Sequence, residues 1–158
     1  SGFVLEYYQT TNQSGPMHGL DFSEVKKTGG ADDYYNNDWY PGWVHWGMSM
    51  ANPLIASPIY NKDGDMTFKY NRVRAMHLGW SGDISSEWTY LAKLSYNKTW
   101  GTPFKPIPDI LENFSTFASI IYTPRKWKGW RFNASIAFDT GEIYGDNLGC
   151  QLKVRKIF

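Results

Sequence analysis

Apolar positions recur along this chain with period two far more often than at the i, i+3, i+4, i+7 spacing of a helix face, so the pattern predicts strands. In the clearest segment Trp130, Phe132, Ala134, Ile136 and Phe138 alternate with Arg131, Asn133, Ser135, Ala137 and Asp139. Trp88, Tyr90, Ala92, Leu94 and Tyr96 alternate in the same way with Thr89, Leu91, Lys93, Ser95 and Asn97. Leu148, Cys150, Leu152, Val154 and Phe158 share a phase that Lys156 interrupts. The stretch 113–123 is more mixed, with Phe114, Ala118, Ile120 and Tyr122 as its better face, and Met66 to Trp80 needs a bulge or a two-sided environment. With a first strand near Phe3 to Gln9, the reading is an all-β, antiparallel, up-and-down sheet of about six strands, at about 2–9, 66–80, 88–100, 112–123, 129–140 and 147–158.

The connections divide into two kinds. Ser81–Glu87 and Pro124–Gly129 are short, while Thr10–Asp65, Gly101–Leu111 and Gly141–Asn147 are expected to be longer and to fall at the opposite end. That alternation is the one found in transmembrane β-barrels of the outer-membrane type, with short periplasmic turns and longer extracellular loops, here one long loop at about 10–65. A soluble β-sandwich with half-buried strands alternates in the same way and stays open at this point. Membrane barrels of a single chain have at least about eight strands, and an open sheet in lipid leaves edge amides unpaired. Residues 1–158, which begin at Ser1 without a leader, are therefore expected to be the C-terminal part of a larger barrel whose remainder supplies the missing strands.

Composition changes this picture in three ways. The 158 residues carry 8 Trp, 11 Tyr and 9 Phe, an aromatic surplus. Trp80, Trp88, Tyr122, Trp127 and Trp130 gather near the short turns, and Tyr96, Trp100, Phe138 and Tyr144 near the long loops, as two interfacial belts would require. A formal net charge of +1 excludes the strong positive field expected of a nucleic-acid partner. The mean hydropathy of −0.49 and the lack of a long apolar run exclude a transmembrane helix but not a barrel, whose strands average to a hydrophilic score. The single cysteine, Cys150, forms neither an internal disulfide nor a zinc cluster.

Catalytic chemistry is thinly represented. His18, His45 and His77 lack metal-ligand spacing, no nucleophile elbow or phosphate-cradling glycine loop occurs, and no catalytic residue, metal or cofactor is expected. The segment Tyr60 to Asp65 faintly resembles a calcium loop but lacks the later glutamate, which favours a plain Asp-Gly turn. The long loop is the richest segment. Tyr35, Asn37, Trp39, Trp43, His45 and Trp46 interleave flat rings with amide and imidazole groups, the side-chain types that hold the C–H faces and hydroxyls of sugars. The alternative is that the same rings pack the loop down over the barrel mouth. On the polar strand faces Arg72, Arg74, Lys93, Arg131 and Asp139, with Lys153 and Arg155, are expected to line a lumen, either toward an acidic polymer or in an internal ion-pair network.

Several stretches resemble the C-terminal part of Wzi-type capsule assembly proteins: Asn12-Gln13-Ser14-Gly15-Pro16, Gly29-Gly30-Ala31-Asp32-Asp33-Tyr34-Tyr35-Asn36-Asn37, Gly42-Trp43-Val44-His45-Trp46-Gly47-Met48 and Ser57-Pro58-Ile59-Tyr60-Asn61-Lys62-Asp63-Gly64. Asn71-Arg72-Val73, Glu112-Asn113-Phe114-Ser115 and Lys128-Gly129-Trp130 continue the similarity, which covers essentially the whole chain. The resemblance implies a non-enzymatic, lectin-like outer-membrane β-barrel of Gram-negative bacteria that binds or organises capsular or other surface polysaccharide. Its partners would be that polysaccharide, membrane lipid and the remainder of the barrel. Lys156 departs from the apolar residue usual in a terminal outer-membrane strand. Two other readings stand beside this one: a porin-like channel in which Arg72, Arg74, Lys93 and Arg131 select anionic solutes, and a soluble β-rich carbohydrate-binding module.

Overall fold

A computed structural model of the chain describes residues 1–11, 35–36, 42–50 and 52–158. Six strands form one sheet: β1 (Gly2–Gln9), β4 (Val73–Asp83), β5 (Trp88–Gly101), β6 (Pro106–Tyr122), β7 (Trp130–Gly141) and β8 (Asn147–Lys156), in that spatial order. Two short strands, β2 (Val44–His45) and β3 (Met48–Ser49), make a separate hairpin, and a 3₁₀ turn covers Pro58–Tyr60. Among the described residues there is no α-helix. The up-and-down order of β4 to β8 follows from short turns joining strands that are neighbours both in the chain and in the sheet.

Two boundaries differ from the sequence reading. The strand expected at 66–80 begins only at Val73, because side chains capture the backbone before it. Asn61 Nδ2 donates to Asp65 O at 2.6 Å and Thr67 O at 2.8 Å, and Asp65 Oδ1 accepts from Thr67 N at 3.1 Å. Asn36 does the same to Phe68, donating to its carbonyl and accepting from its N–H, both at 2.8 Å. Backbone groups so occupied have no ladder to join. The second difference is the connection expected at 101–111, which is instead a hairpin: β6 starts at Pro106, and the turn 102–105 closes with Lys105 N on Thr102 Oγ1 at 3.0 Å. Pro106 and Pro108 lie inside β6, and β7 pairs with β6 only from Asn113 onward. Two residues apart, both prolines turn their missing donors to the same side, where this part of the strand has no β7 neighbour. The expected alternation of long and short loops is corrected accordingly: the connections 84–87, 102–105, 123–129 and 142–146 are all tight, and only 10–72 is long.

The chain groups into two compact units. One comprises Ser1–Tyr7, Met76–Tyr96 and Asn113–Phe158. Its strand register is explicit: Ala118, Ile136 and Cys150 lie side by side, as do Ile120, Ala134 and Leu152, and Tyr122, Phe132 and Val154. Directly paired residues share a face, so these rows make one apolar surface. That surface is not buried; Leu148 is 73% and Leu152 85% exposed, and the buried apolar side chains of this unit are Pro124 and Ile143. The other face carries Ser115, Asp139 and Asn147 in one row and Ser119, Ser135 and Gln151 in another.

The second unit comprises Tyr8–Ala75 and Asn97–Glu112. Its described residues contain the hydrophobic cluster, Tyr35, Ile55, Phe68, Val73 and Ala75, with Tyr8, Val44 and Leu54 packed against it. Thr10 seals one side: its Oγ1 donates to Asn71 O at 2.6 Å and accepts from Val73 N at 2.8 Å.

Candidate functional site

The β2–β3 hairpin presents the aromatic cluster expected to hold a ligand. Val44 pairs with Ser49 and His45 with Met48, leaving Trp46 and Gly47 as the two turn residues at φ +52° and +77°. Positive φ at both positions is the hairpin geometry that matches strand twist, normally supplied by Asn-Gly. A tryptophan there is strained, and non-glycine residues in that region cost about 1–3 kcal/mol each. The ring gains no burial in return, since Trp46 is 86% exposed. It meets the His45 imidazole edge-on at 6.2 Å between centroids.

The hairpin is held from below by backbone bonds. Ile59 N donates to Gly47 O at 2.9 Å, Met50 N to Trp43 O at 3.0 Å, and Trp43 N to Tyr35 O at 3.0 Å. Ser57 Oγ accepts from Ser49 N at 3.0 Å. Trp43, His45 and Trp46 are therefore exposed rings on a fixed scaffold. Tyr35, expected to join them, is corrected to a core residue: it is 8% exposed and its ring lies 5.2 Å from that of Phe68. Trp39 and Asn37 fall outside the described residues. The sequence reading missed the apolar surround of the hairpin, Met48, Met50, Ile59, Tyr60 and Met66, all exposed. It also missed Asn36, whose backbone clamp on Phe68 spans 32 positions and leaves no local signature.

The residues expected to line a lumen do not share one face. His77 Nδ1 and Ser95 Oγ share a hydrogen bond at 2.6 Å, which puts His77 on the same face of the sheet as Ser95, and so as Lys93. Arg131 lies opposite Arg155, and Asn133, which donates to Ser119 Oγ at 2.7 Å, lies opposite Lys153. Asp139 sits in the row with Ser115 and Asn147. Arg74 goes elsewhere: its guanidinium stands 5.5 Å from the Trp100 ring, and Trp100 is in phase with Tyr96 and Leu94, not with Lys93. Arg72 Nε donates to Thr11 O at 3.3 Å. The ion-pair alternative is not formed by these residues; among the described residues the pairs are Lys69 with Asp63 and Lys98 with Glu112.

The turn around Asp63 is held internally. Lys69 donates to Asp63 Oδ2, Asp63 Oδ1 accepts from Asp65 N at 3.2 Å, and these bonds hold the Asp63 carboxyl below its ordinary value, the Lys69 hydrogen bond being the larger cause. Among the described residues no cluster of three or more His, Cys, Asp or Glu could hold a metal ion.

Within the first unit the apolar face is bordered by touching rings. Trp80 meets Tyr90 at 5.4 Å, Trp88 stacks on Tyr122 at 4.4 Å, and Phe132 lies within 6.3 Å of Tyr122, 6.1 Å of Trp130 and 5.9 Å of Trp127. Comparisons with family models, curated proteins and solved structures return no match for this chain.

Proposed function

We propose that this chain is part of an outer-membrane β-barrel that binds or organises surface polysaccharide, without catalysing a reaction, through the exposed rings of the β2–β3 hairpin. The observation that carries the reading is the solvent-exposed apolar face of the sheet, bordered by an aromatic row. From Trp130 to Thr140 at roughly 3.4 Å per residue the strand runs about 34 Å, and a tilt near 40° reduces that to about 26 Å, close to the apolar band of such barrels. β4 to β8 have 11, 14, 17, 12 and 10 residues, enough to cross a bilayer at that tilt. β1 and β8 each have one neighbour, so closure in lipid needs further strands from the remainder of the barrel. The resemblance to Wzi-type proteins supplies the polysaccharide, and Trp43, His45 and Trp46 supply a surface suited to it.

The test uses the complete barrel that contains this chain, in lipid vesicles. It should float with them, and capsular polysaccharide should retain it on a column; a Trp43→Ala, Trp46→Ala variant should float equally and lose retention. Unchanged retention would remove the hairpin from the site. A second reading, an anion-selective channel, is favoured by one observation, the facing of Arg131 and Arg155 across β7 and β8. Anion-selective conductance in a planar bilayer, lowered by Arg131→Gln, would support it.

A further inference from the structure

The turn 123–129 carries Arg125, Lys126 and Lys128 around Trp127, all four exposed. It is tied down at both ends: Thr123 N donates to Glu87 O at 2.8 Å at one, and Ile157 N to Gly129 O at 2.8 Å at the other. Gly129 has φ +78°, and Ile157 O lies 2.2 Å from where a Cβ would stand, so the turn presses against the chain just beyond β8. Lys156 reaches the same end, its ammonium 4.8 Å from the Trp130 ring centre. Among the described residues no carboxylate pairs with any of these four cations. The Glu87 carboxylate is engaged by the Arg125 backbone N–H at 2.6 Å, not by its guanidinium.

These cations border the aromatic row, and the row borders the exposed apolar face through Phe132 and Val154. A soluble polyanion would meet only the first of the three layers. The partner that matches cation, aromatic and hydrocarbon in that order is itself anionic at one end and apolar along the rest. We propose that the 123–129 turn and Lys156 dock the phosphate headgroup of an anionic phospholipid, whose acyl chains lie along Phe132 and Val154. The proposal rests on the membrane reading above and adds a lipid preference to it.

The experiment reconstitutes the complete barrel that contains this chain in phosphatidylcholine vesicles with spin-labelled phosphatidylglycerol or spin-labelled phosphatidylcholine and compares the immobilised fractions. The expected preference for phosphatidylglycerol at low salt is at least about fivefold, the worth of one surface cation, and it falls toward one as salt is raised. The quadruple variant Arg125→Gln, Lys126→Gln, Lys128→Gln, Lys156→Gln should lose the preference, while Arg125→Lys, Lys126→Arg, Lys128→Arg should keep it. Equal immobilisation of the two lipids, or an undiminished preference in the glutamine variant, overturns the proposal and leaves the membrane reading intact. Glutamine variants that keep the lipid preference but release an acidic polysaccharide assign the turn to a polyanion and also overturn it. A chain that fails to float with any vesicle removes the membrane reading, and the docking site with it.

Discussion

Ile136 lies on β7 midway between Phe132 and Thr140, beside Ala118 of β6 and Cys150 of β8, with half its side chain exposed. At about 3.4 Å per residue and a tilt near 40°, the Trp130 and Thr140 borders of the apolar band are roughly 16 Å and 10 Å away along the membrane normal, so Ile136 stands within a few ångströms of the midplane. Replacing it by lysine in lipid should cost about 2–4 kcal/mol, with the ammonium too deep to reach either interface without strain. The same change on a solvated sheet falls within about 0.5 kcal/mol, because an exposed lysine loses nothing in water. Ser135→Lys, one residue away on the polar face, is the control and should be near neutral in either setting. The assay is urea unfolding of the complete barrel in vesicles, read as the shift in midpoint at constant slope. If Ile136→Lys were neutral while Ser135→Lys lost several kcal/mol, the apolar face would not be the lipid face and the reasoning would fail.

Gly129→Ala should destabilise the turn by about 2 kcal/mol or more, since a left-handed φ is combined with a carbonyl 2.2 Å from the new Cβ; thermal unfolding of the variant measures it. Trp46→Asn relieves a strained φ and should raise the hairpin's stability by about 1 kcal/mol while lowering polysaccharide retention, two readouts that separate strain from binding. Asn36→Ala removes both bonds to the Phe68 backbone, and hydrogen exchange at the Phe68 amide should accelerate by roughly tenfold or more. Asp63 has a lowered carboxyl pKa in the folded chain, so its contribution to the loop is present above the ordinary carboxylate range and is lost as pH falls through the lowered value; Lys69→Met should move its NMR titration upward toward that range.

Much of the strand architecture was legible in the chain because alternation is a local property: each residue's face on a strand follows from its parity, and the apolar rows of β6, β7 and β8 lie where parity puts them. The aromatic row was legible for the same reason, as rings clustered near short turns fall at one end of the sheet. The start of β4 was not, because Asn36 and Asn61 compete for backbone groups with the ladder, and Asn36 does so across 32 positions. The hairpin tip at 102–105 was obscured by prolines whose cost depends on whether a neighbouring strand is there to notice the missing donor.

Within the candidate site the division is sharper. Trp43, His45 and Trp46 could be named from residue type, but their exposure follows from the Trp46-Gly47 turn and the bonds from Ile59 and Ser49 beneath it. Tyr35 has the same chemistry as its neighbours in the chain and a different fate, because Phe68, Val73 and Ala75 close around it. Arg74 was expected to line a lumen, and its guanidinium instead stands 5.5 Å from the Trp100 ring. The sequence by itself determined which residues alternate and which chemistry each surface carries, since both depend on neighbours one or two positions away. Only the tertiary structure decided which rings are covered, which strand ends are captured and which cations meet at the turn beside Gly129, since those depend on contacts between residues far apart in the chain.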